Sequence, residues 1–289
     1  MARVVADPAG VYGSDPDYED WANSPFDKAL VQNKGTAYEG ALYSNYRDRG
    51  MTPVGFTPAG SDATAADLEL WLPNYTGPGK TNGCKRAKIE VKLDFNVDFG
   101  QSSLKHDGGA WKLTGSQDGA SIEMRRLLNR MNVPAEVGKV WKGQPNLFKY
   151  ANSSKVPGNE KQADLQNYPS SYLFDDSYLR TFASYYKEKK VYYIQIGGAG
   201  LYYLGEDPNG LKYVGAKNIF GINASMKLRI RTKGSASKGT YRFSTALLID
   251  RLPTITSALH LDRASDMNML HGDAIWACNN VPSLVNQRV

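Results

Sequence analysis

The sequence predicts an α+β fold, and two kinds of periodicity indicate it. Some segments place apolar residues three and four positions apart, as amphipathic helices do, whereas others alternate polar and apolar residues, as half-buried strands do. The chain has 289 residues, of which 41% are hydrophobic and 22% charged, so it can bury a sizeable core. This composition excludes a disordered tail.

The N-terminal part of the sequence predicts an irregular arm followed by a helix. Residues 1–35 are rich in Asp, Pro, Gly and Asn, which is typical of chain that is neither helix nor strand. From Thr36 onward, Leu42 and Tyr46 fall on one helical face, and Gly50 is placed to end the helix.

Two alternating segments predict an antiparallel pair of strands. Polar and apolar residues alternate in Asp67–Leu72 and again in Ala87–Leu93. The segment between them, Pro73–Gly83, is rich in turn-forming residues. A turn-forming connection of this length joins neighbouring strands most simply as an antiparallel pair.

The rest of the sequence predicts two more helices and a strand-rich C-terminal half. Ser121 is placed to cap a helix that runs to Asn132, and Tyr178–Tyr186 has helical spacing. The latter helix leads directly into a strongly β-forming segment, and from Pro253 onward no element is predicted. The predicted strands are Val191–Ile196, Leu201–Leu204, Met226–Arg231 and Tyr241–Ile249.

The charge distribution favours a polyanionic partner. The chain has a formal net charge of +6, and residues 81–155 and 207–239 carry +6 each, whereas residues 1–80 carry −5. Basic blocks of this kind can neutralise phosphates on a nucleic acid, although composition alone leaves a solvated charged face equally open. The candidate nucleic-acid contacts in these blocks are Lys88, Arg125, Arg126, Lys227, Arg229 and Arg231.

The cysteine count and hydropathy narrow the class of protein. Two cysteines, Cys84 and Cys278, argue against a disulfide-stapled secreted domain and are too few for a four-cysteine zinc site. A metal ion would therefore be held mostly by oxygen. No segment approaches the ~20 apolar residues of a membrane span, so we expect an intracellular, cytoplasmic protein without a membrane partner.

The acidic residues of the predicted strand pair suggest hydrolytic chemistry. Glu90 and Lys92 project from the same strand face and Val91 from the other, while Asp67 opens the neighbouring strand. Mg²⁺ prefers oxygen ligands, which Asp67, Glu90 and the Val91 carbonyl can supply, and Mn²⁺ can substitute for it. Lys92 would then orient the nucleophile or stabilise charge on a phosphate. The pattern predicts phosphodiester hydrolysis.

In this respect the chain resembles the PD-(D/E)xK, or restriction-endonuclease-like, nuclease superfamily. The resemblance covers a helix with Glu39, then Asp67, then Glu90–Lys92, then a helix that leads into Val191–Ile196. It implies an αβββαβ core with a central mixed sheet, in which Val54–Phe56 is a candidate short first strand. The members of this superfamily share little sequence similarity, so the resemblance is carried by these few positions and their order.

The resemblance also implies a function and a domain organisation. It implies metal-dependent cleavage of DNA, and we expect endonuclease action. It also implies Glu39 as an additional helix acid and leaves a homodimer as an option. A nuclease core would span residues 36–205, with an insert at about 96–175 and a β-rich extension at 206–289. Side chains that could contact phosphate after the lysine are Gln101, Ser102 and Ser103.

Several alternatives remain open. Ala66 stands where the family often has proline, which leaves Asp62 and Glu69 as alternatives to Asp67. An E-x-K on a strand is often a solvent-facing ion pair, and Glu39 has the spacing of a capping box with Thr36. The alternative function is a non-catalytic nucleic-acid-binding or virion-associated structural protein.

Overall fold

The structure, a computed structural model, describes residues 34–58, 66–94, 99, 101–115, 119–141, 171–173, 176–221, 226–235, 240–249 and 256–278. Helices and strands both occur, which confirms the α+β class. In chain order the elements are α1 (Lys34–Asp48), β1 (Leu68–Gly77), β2 (Lys80–Lys92), β3 (Gln101–Asp107), β4 (Ala110–Thr114), α2 (Gly119–Arg130), α3 (Val133–Val140), β5 (Ser171–Leu173), α4 (Asp176–Glu188), β6 (Val191–Ile196), β7 (Gly200–Tyr203), β8 (Lys217–Asn218), β9 (Met226–Ser235), β10 (Thr240–Ile249) and α5 (Ala264–Ala277).

The first sheet is mixed and has the strand order β1-β2-β6-β7-β8. Strands β1 and β2 are antiparallel, as predicted, whereas β2 and β6 are parallel. The chain returns antiparallel through β7 after a turn at residues 197–199. A parallel neighbour requires a crossover connection, and α4 forms its last part before β6.

The β1–β2 hairpin is longer than the sequence predicts. Most of the predicted connection Pro73–Gly83 is strand, and the chain reverses between Gly77 and Lys80. Pro73 is tolerated because β1 is an edge strand, where a residue without an N–H costs less of the sheet's hydrogen bonding. Gly79 has a φ of +64°, a turn conformation that glycine adopts readily.

The segment Val54–Phe56, a candidate first strand, is a turn. Phe56 N–H donates to the Pro53 carbonyl at 3.1 Å, and Gly55 has a φ of +79°. This local hydrogen bond closes a tight turn instead of leaving the backbone available to a neighbouring strand. The prediction of a strand here was wrong.

The second sheet joins strands that are far apart in the sequence. Its order is β4-β3-β10-β9-β5, and every pair is antiparallel. It takes β3, β4 and β5 from the predicted insert at about 96–175 and β9 and β10 from the chain after residue 206. These two parts of the sequence therefore form one structural layer.

Two hydrophobic cores cover the two faces of the first sheet. On one face, side chains of α1 and α5, including Tyr46 and Leu270, pack with Ile89 and Val91. On the other face, α4 and the second sheet contribute Phe182 and Leu247 to the core that contains Ile194 and Ile196. The first sheet is thus enclosed between two helices and a helix-plus-sheet layer.

No helix in the described part of the chain is long and apolar enough to cross a membrane.

A disulfide joins Cys84 in β2 to Cys278, the residue that follows α5, with a Cα–Cα distance of 5.0 Å. The sequence argued against a disulfide-stapled fold, and a count of two cysteines could not reveal that α5 ends beside β2. Disulfides are typical of oxidising compartments. The pairing therefore does not suit the reducing cytoplasm predicted from the sequence.

We expect removal of this disulfide to lower the free energy of unfolding by about 2 to 4 kcal/mol, since the bond closes a loop of 194 residues in the unfolded chain. The measurement is urea unfolding of the parent and of the Cys84→Ser/Cys278→Ser variant, each with and without a reductant. The reductant should destabilise only the parent. Equal stability of the two proteins under oxidising conditions would contradict the expectation.

Candidate active site

The site is built where β1 begins and β2 ends. Asp67 directly precedes Leu68, the first residue of β1, which pairs with Ile89 of β2. The Val91 N–H donates to Asp67 Oδ2 at 2.8 Å and fixes the Asp67 carboxylate beside the end of β2. The antiparallel hairpin therefore brings together two acidic positions that are 23 residues apart, as the sequence predicted.

Lys92 bridges two carboxylates. Its Nζ lies 2.7 Å from Glu90 Oε1 and 3.5 Å from Asp67 Oδ2. Glu90 and Lys92 project from the strand face opposite Val91, whose side chain is buried in the core with α1 and α5. The strand alternation thus separates the ion-pair side of β2 from its apolar side.

Glu39 adds a third carboxylate from α1. Its Oε2 is buried and has no hydrogen-bond partner among the described residues. Burial, followed by the charge of Asp67, raises the pKa of Glu39 from 4.5 to about 8. The capping-box interpretation of Glu39 is wrong, because α1 begins at Lys34 and places Thr36 inside the first turn instead of at the N-cap.

The pKa values describe an acidic cluster that repels itself. Burial and the charge of Glu90 raise the pKa of Asp67 from 3.8 to about 7. Burial lowers the pKa of Lys92, but the charges of Glu90 and Asp67 outweigh burial and raise it overall, so its ammonium stays charged. One ammonium cannot balance three carboxylates, and the cluster therefore holds a proton near neutral pH.

Helix α4 supplies a side chain that the sequence analysis did not identify. The Tyr186 hydroxyl donates to Glu90 Oε1 at 3.0 Å, and burial raises the pKa of Tyr186 well above 10, so the hydroxyl keeps its proton. The sequence placed this tyrosine only on the apolar stripe of a helix. Beside it, Lys92 Nζ lies 5.4 Å from the centre of the Phe99 ring.

The cluster is largely enclosed. The side chains of Asp67, Glu90 and Lys92 are 9%, 10% and 12% exposed, and Glu39 is half-buried. Low dielectric strengthens each interaction between these charges.

Neither alternative to Asp67, Glu69 or Asp62, is seen to contact Lys92 in the described part of the structure. Glu69 accepts an ion pair from Arg86 at 2.8 Å, and no contact of Glu69 with Lys92 is observed in the described part of the structure. Asp62 lies outside the described residues. Of the described candidates, Asp67 is therefore the acid that contacts Lys92.

The predicted phosphate-contacting residues of β3 lie in the second sheet. Ser102 is buried, and its hydroxyl donates to the Thr114 carbonyl at 3.1 Å, which argues against a phosphate contact by this side chain. Ser103 is half-buried and pairs with Ser244 across the sheet. Gln101 belongs to the backbone of β3, but its side chain lies outside the described part of the structure.

The predicted basic contacts are distributed over several elements. Lys88 is half-buried on β2, two residues before Glu90, and therefore lies on the same strand face. Arg125 is half-buried on α2, where Arg126 is exposed and pairs with Glu123 at 3.4 Å. The backbone positions of three further residues in β9 are described, but their side chains are not: these are Lys227, Arg229 and Arg231.

The donor set suits a hard divalent cation. Three carboxylates supply oxygen ligands, and the unpartnered Oε2 of Glu39 is a buried acceptor that a cation would satisfy. As the side chains stand, no group of three His, Cys, Asp or Glu residues among those described is arranged to hold a metal ion. The ammonium of Lys92 lies between Asp67 and Glu90, so a cation would take over contacts that Lys92 now makes.

Comparison with known proteins does not assign the chain to a family. No family model, curated protein or solved structure matches it. The resemblance to the PD-(D/E)xK superfamily therefore stays a prediction from the pattern of residues.

Two other features of the described structure lack the chemistry of this cluster. A surface cavity of about 530 Å³ is lined by Trp111, Trp141 and His106, without a carboxylate among its lining residues. Ser257 and His260 are both buried, but the serine hydroxyl donates to backbone carbonyls and not to the histidine ring. The cavity lacks a carboxylate. At the second feature Asp262 Oδ1 lies 3.6 Å from His260 Nδ1, but the Ser257 hydroxyl is bonded to backbone carbonyls, so no nucleophile is paired with a base there.

Proposed function

We propose that this protein is a metal-dependent nuclease that hydrolyses DNA phosphodiester bonds, and that it acts as an endonuclease. The observation that carries the proposal is the position of Lys92, whose ammonium contacts both Asp67 and Glu90, while α1 adds the carboxyl group of Glu39 to the same cluster. A lysine held among acidic side chains at a strand end is the arrangement expected of a PD-(D/E)xK nuclease.

The order of elements supports a restriction-endonuclease-like core. Helix α1, strands β1 and β2, helix α4 and strand β6 follow one another in the predicted order, and β2 pairs parallel with β6. The described residues contain no strand between α1 and β1, so the proposed αβββαβ core lacks its first strand there. The additional elements between β2 and α4 correspond to the proposed insert.

The residues of the cluster would divide the chemistry among them. Asp67, Glu90 and Glu39 would hold Mg²⁺ or Mn²⁺, and a bound ion of this kind offsets phosphate charge and makes water a better nucleophile. The Val91 N–H holds Asp67 in place, and its carbonyl is a further candidate ligand. The ammonium of Lys92, once released from the carboxylates, would donate to the phosphate or to the attacking water.

The proposed substrate and setting follow from charge and from the resemblance. Basic residues on β2, α2 and β9 would contact the DNA backbone. Because one site cuts one strand, a homodimer would be needed for a double-strand cut. The proposed place of action is the cytoplasm, including that of a phage-infected cell, where Cys84 and Cys278 would be reduced.

Enclosure of the cluster favours a second candidate function. Side chains of Asp67, Glu90 and Lys92 that are about nine-tenths buried also suit an internal ion network in a non-catalytic nucleic-acid-binding or virion-associated structural protein. The two functions differ in one outcome, which is metal-dependent cleavage.

Supercoiled plasmid and linear DNA should distinguish the two functions, with each substrate incubated in Mg²⁺ and in EDTA. We expect the parent to nick the plasmid only with Mg²⁺ and the Lys92→Ala variant to lose at least about 10²-fold in rate, as for the loss of an electrostatic catalytic group. Cleavage of linear DNA alone would indicate an exonuclease.

A charge-balanced variant controls for misfolding. Lys92→Ala leaves buried carboxylates without their cation, whereas Lys92→Met/Glu90→Gln removes one positive and one negative charge together. A folded double variant that binds DNA and does not cleave it supports the nuclease. Binding without cleavage by the parent itself, in Mg²⁺ and in Mn²⁺, would overturn the nuclease and support the structural protein.

A further inference from the structure

The hydroxyl of Tyr186 contacts the acidic cluster from outside the β1–β2 hairpin. This tyrosine lies in α4, 96 residues after Glu90, and its hydroxyl donates to Glu90 Oε1 at 3.0 Å. The same oxygen is 2.7 Å from Lys92 Nζ. One oxygen of Glu90 therefore has two donors, the ammonium of Lys92 and the phenol of Tyr186.

The Tyr186 ring is fixed by its neighbours. It is 5% exposed, and its centre lies 4.6 Å from that of Phe182 and 5.6 Å from that of Tyr185. A buried hydroxyl is costly unless it is hydrogen-bonded, so an apolar core position would favour phenylalanine over tyrosine. Glu90 supplies the partner that makes a tyrosine suitable here.

In the proposed reaction, one of the two donors to Glu90 has to move and the other stays in place. Lys92 has to leave the carboxylates before its ammonium can donate to substrate, and Glu90 would then lose its shortest contact. Tyr186 is held by packing and does not need to move. A carboxylate that ligates a metal ion is commonly fixed by such an outer hydrogen bond.

We propose that Tyr186 is a positioning residue, which holds Glu90 in the orientation that binds the divalent cation. This inference rests on the proposed nuclease function, because it takes Glu90 as a metal ligand. It adds to the site a further element, α4, whose placement affects the affinity for metal.

Tyr185 provides a matched control on the same helix. Its hydroxyl donates to the Glu123 carbonyl oxygen at 3.2 Å and to Glu123 Oε2 at 3.1 Å, and so bonds to α2 instead of the cluster. Both tyrosines are buried. The variants Tyr186→Phe and Tyr185→Phe therefore remove the same hydroxyl from neighbouring ring positions and keep the aromatic packing.

The test is calorimetric titration of the metal-free protein with Mn²⁺, without DNA. We expect the Kd for Mn²⁺ to rise about 10-fold or more in Tyr186→Phe, as for loss of an outer hydrogen bond to a ligand, and to stay within about twofold of the parent in Tyr185→Phe. In plasmid nicking, the Mg²⁺ concentration for half-maximal rate should rise in parallel. Thermal unfolding of both variants reports whether each is folded.

The Glu90→Gln variant separates failure of this inference from failure of the proposed function. If the parent binds Mn²⁺, Glu90→Gln does not and Tyr186→Phe binds like the parent, the positioning role is overturned and the metal site stands. If Glu90→Gln binds as tightly as the parent, or the parent does not bind, the metal site is overturned and the role of Tyr186 with it. A rise in Kd for Tyr185→Phe equal to that for Tyr186→Phe would also overturn the role.

Discussion

Replacement of Asp67 with asparagine is expected to slow DNA cleavage strongly and to stabilise the metal-free protein. Asp67 is buried beside Glu90, and burial together with that charge raises its pKa to about 7. Asparagine retains an oxygen that can accept from the Val91 N–H and removes the like charge. The fold therefore keeps the hydrogen bond at 2.8 Å and loses the repulsion.

Both effects have expected magnitudes. A metal ion stabilises the charge of the transition state by several kcal/mol. Loss of one of its ligands therefore corresponds to a rate decrease of about 10³-fold. Removal of an unfavourable buried charge should raise the free energy of unfolding by about 1 to 2 kcal/mol in EDTA at pH 8. Plasmid nicking and urea unfolding measure the two changes on the same preparation.

Asp207 supplies a control for which the same substitution should change the free energy of unfolding in the opposite direction. Its carboxylate accepts hydrogen bonds from the Tyr193 hydroxyl and from the backbone N–H groups of Leu211 and Lys212, at 2.7 to 2.9 Å. Asparagine cannot accept at both oxygens, so Asp207→Asn should destabilise the fold by about 1 to 3 kcal/mol and leave cleavage intact. If Asp67→Asn stabilises the fold but leaves cleavage unchanged, Asp67 is not a catalytic metal ligand. Only the claim that its buried charge is unfavourable would then stand.

The pairing of β1 with β2 was predictable because it is local. Alternation in Asp67–Leu72 and Ala87–Leu93 identified both strands, and their antiparallel pairing brought Asp67 to the end of β2. The contact of Tyr186 with Glu90 could not be predicted in this way, because periodicity shows which helix face is apolar and not which strand it packs on. Contacts between remote elements require the tertiary structure.

The second sheet and α5 show the same limit. Strand β10 pairs with β3, and Thr245 lies opposite Ser102, although 143 residues separate them in the sequence. Helix α5 did carry a local signal that the sequence analysis missed, since Met267, Leu270 and Ala274 recur at helical spacing and are buried. Its weak separation of polar and apolar faces explains why no prediction was made after Pro253.

The free energy of unfolding of the metal-free protein is expected to fall as pH rises from about 4 to 8. Burial and like charges raise the pKa of Asp67 from 3.8 to about 7 and that of Glu39 from 4.5 to about 8. Between these values the folded chain holds protons that the unfolded chain has released. Stability is therefore fully present below the unfolded values and is lost as pH rises through the folded ones, by about 1.4 kcal/mol per pH unit while one extra proton is held.

Urea unfolding in EDTA across this pH range provides the measurement, with the Glu39→Gln/Asp67→Asn variant as control. The variant lacks both carboxylates, so the difference between the two proteins isolates the contribution of the cluster from that of the rest of the chain. Excess Mg²⁺ should flatten the slope of the parent, because a cation that binds the ionised carboxylates replaces the retained proton. A parent whose stability rises from pH 5 to pH 8 in EDTA, or a variant with the same slope, would show that the carboxylates are ionised and already balanced by Lys92, and the cluster would then have no unmet need for a cation.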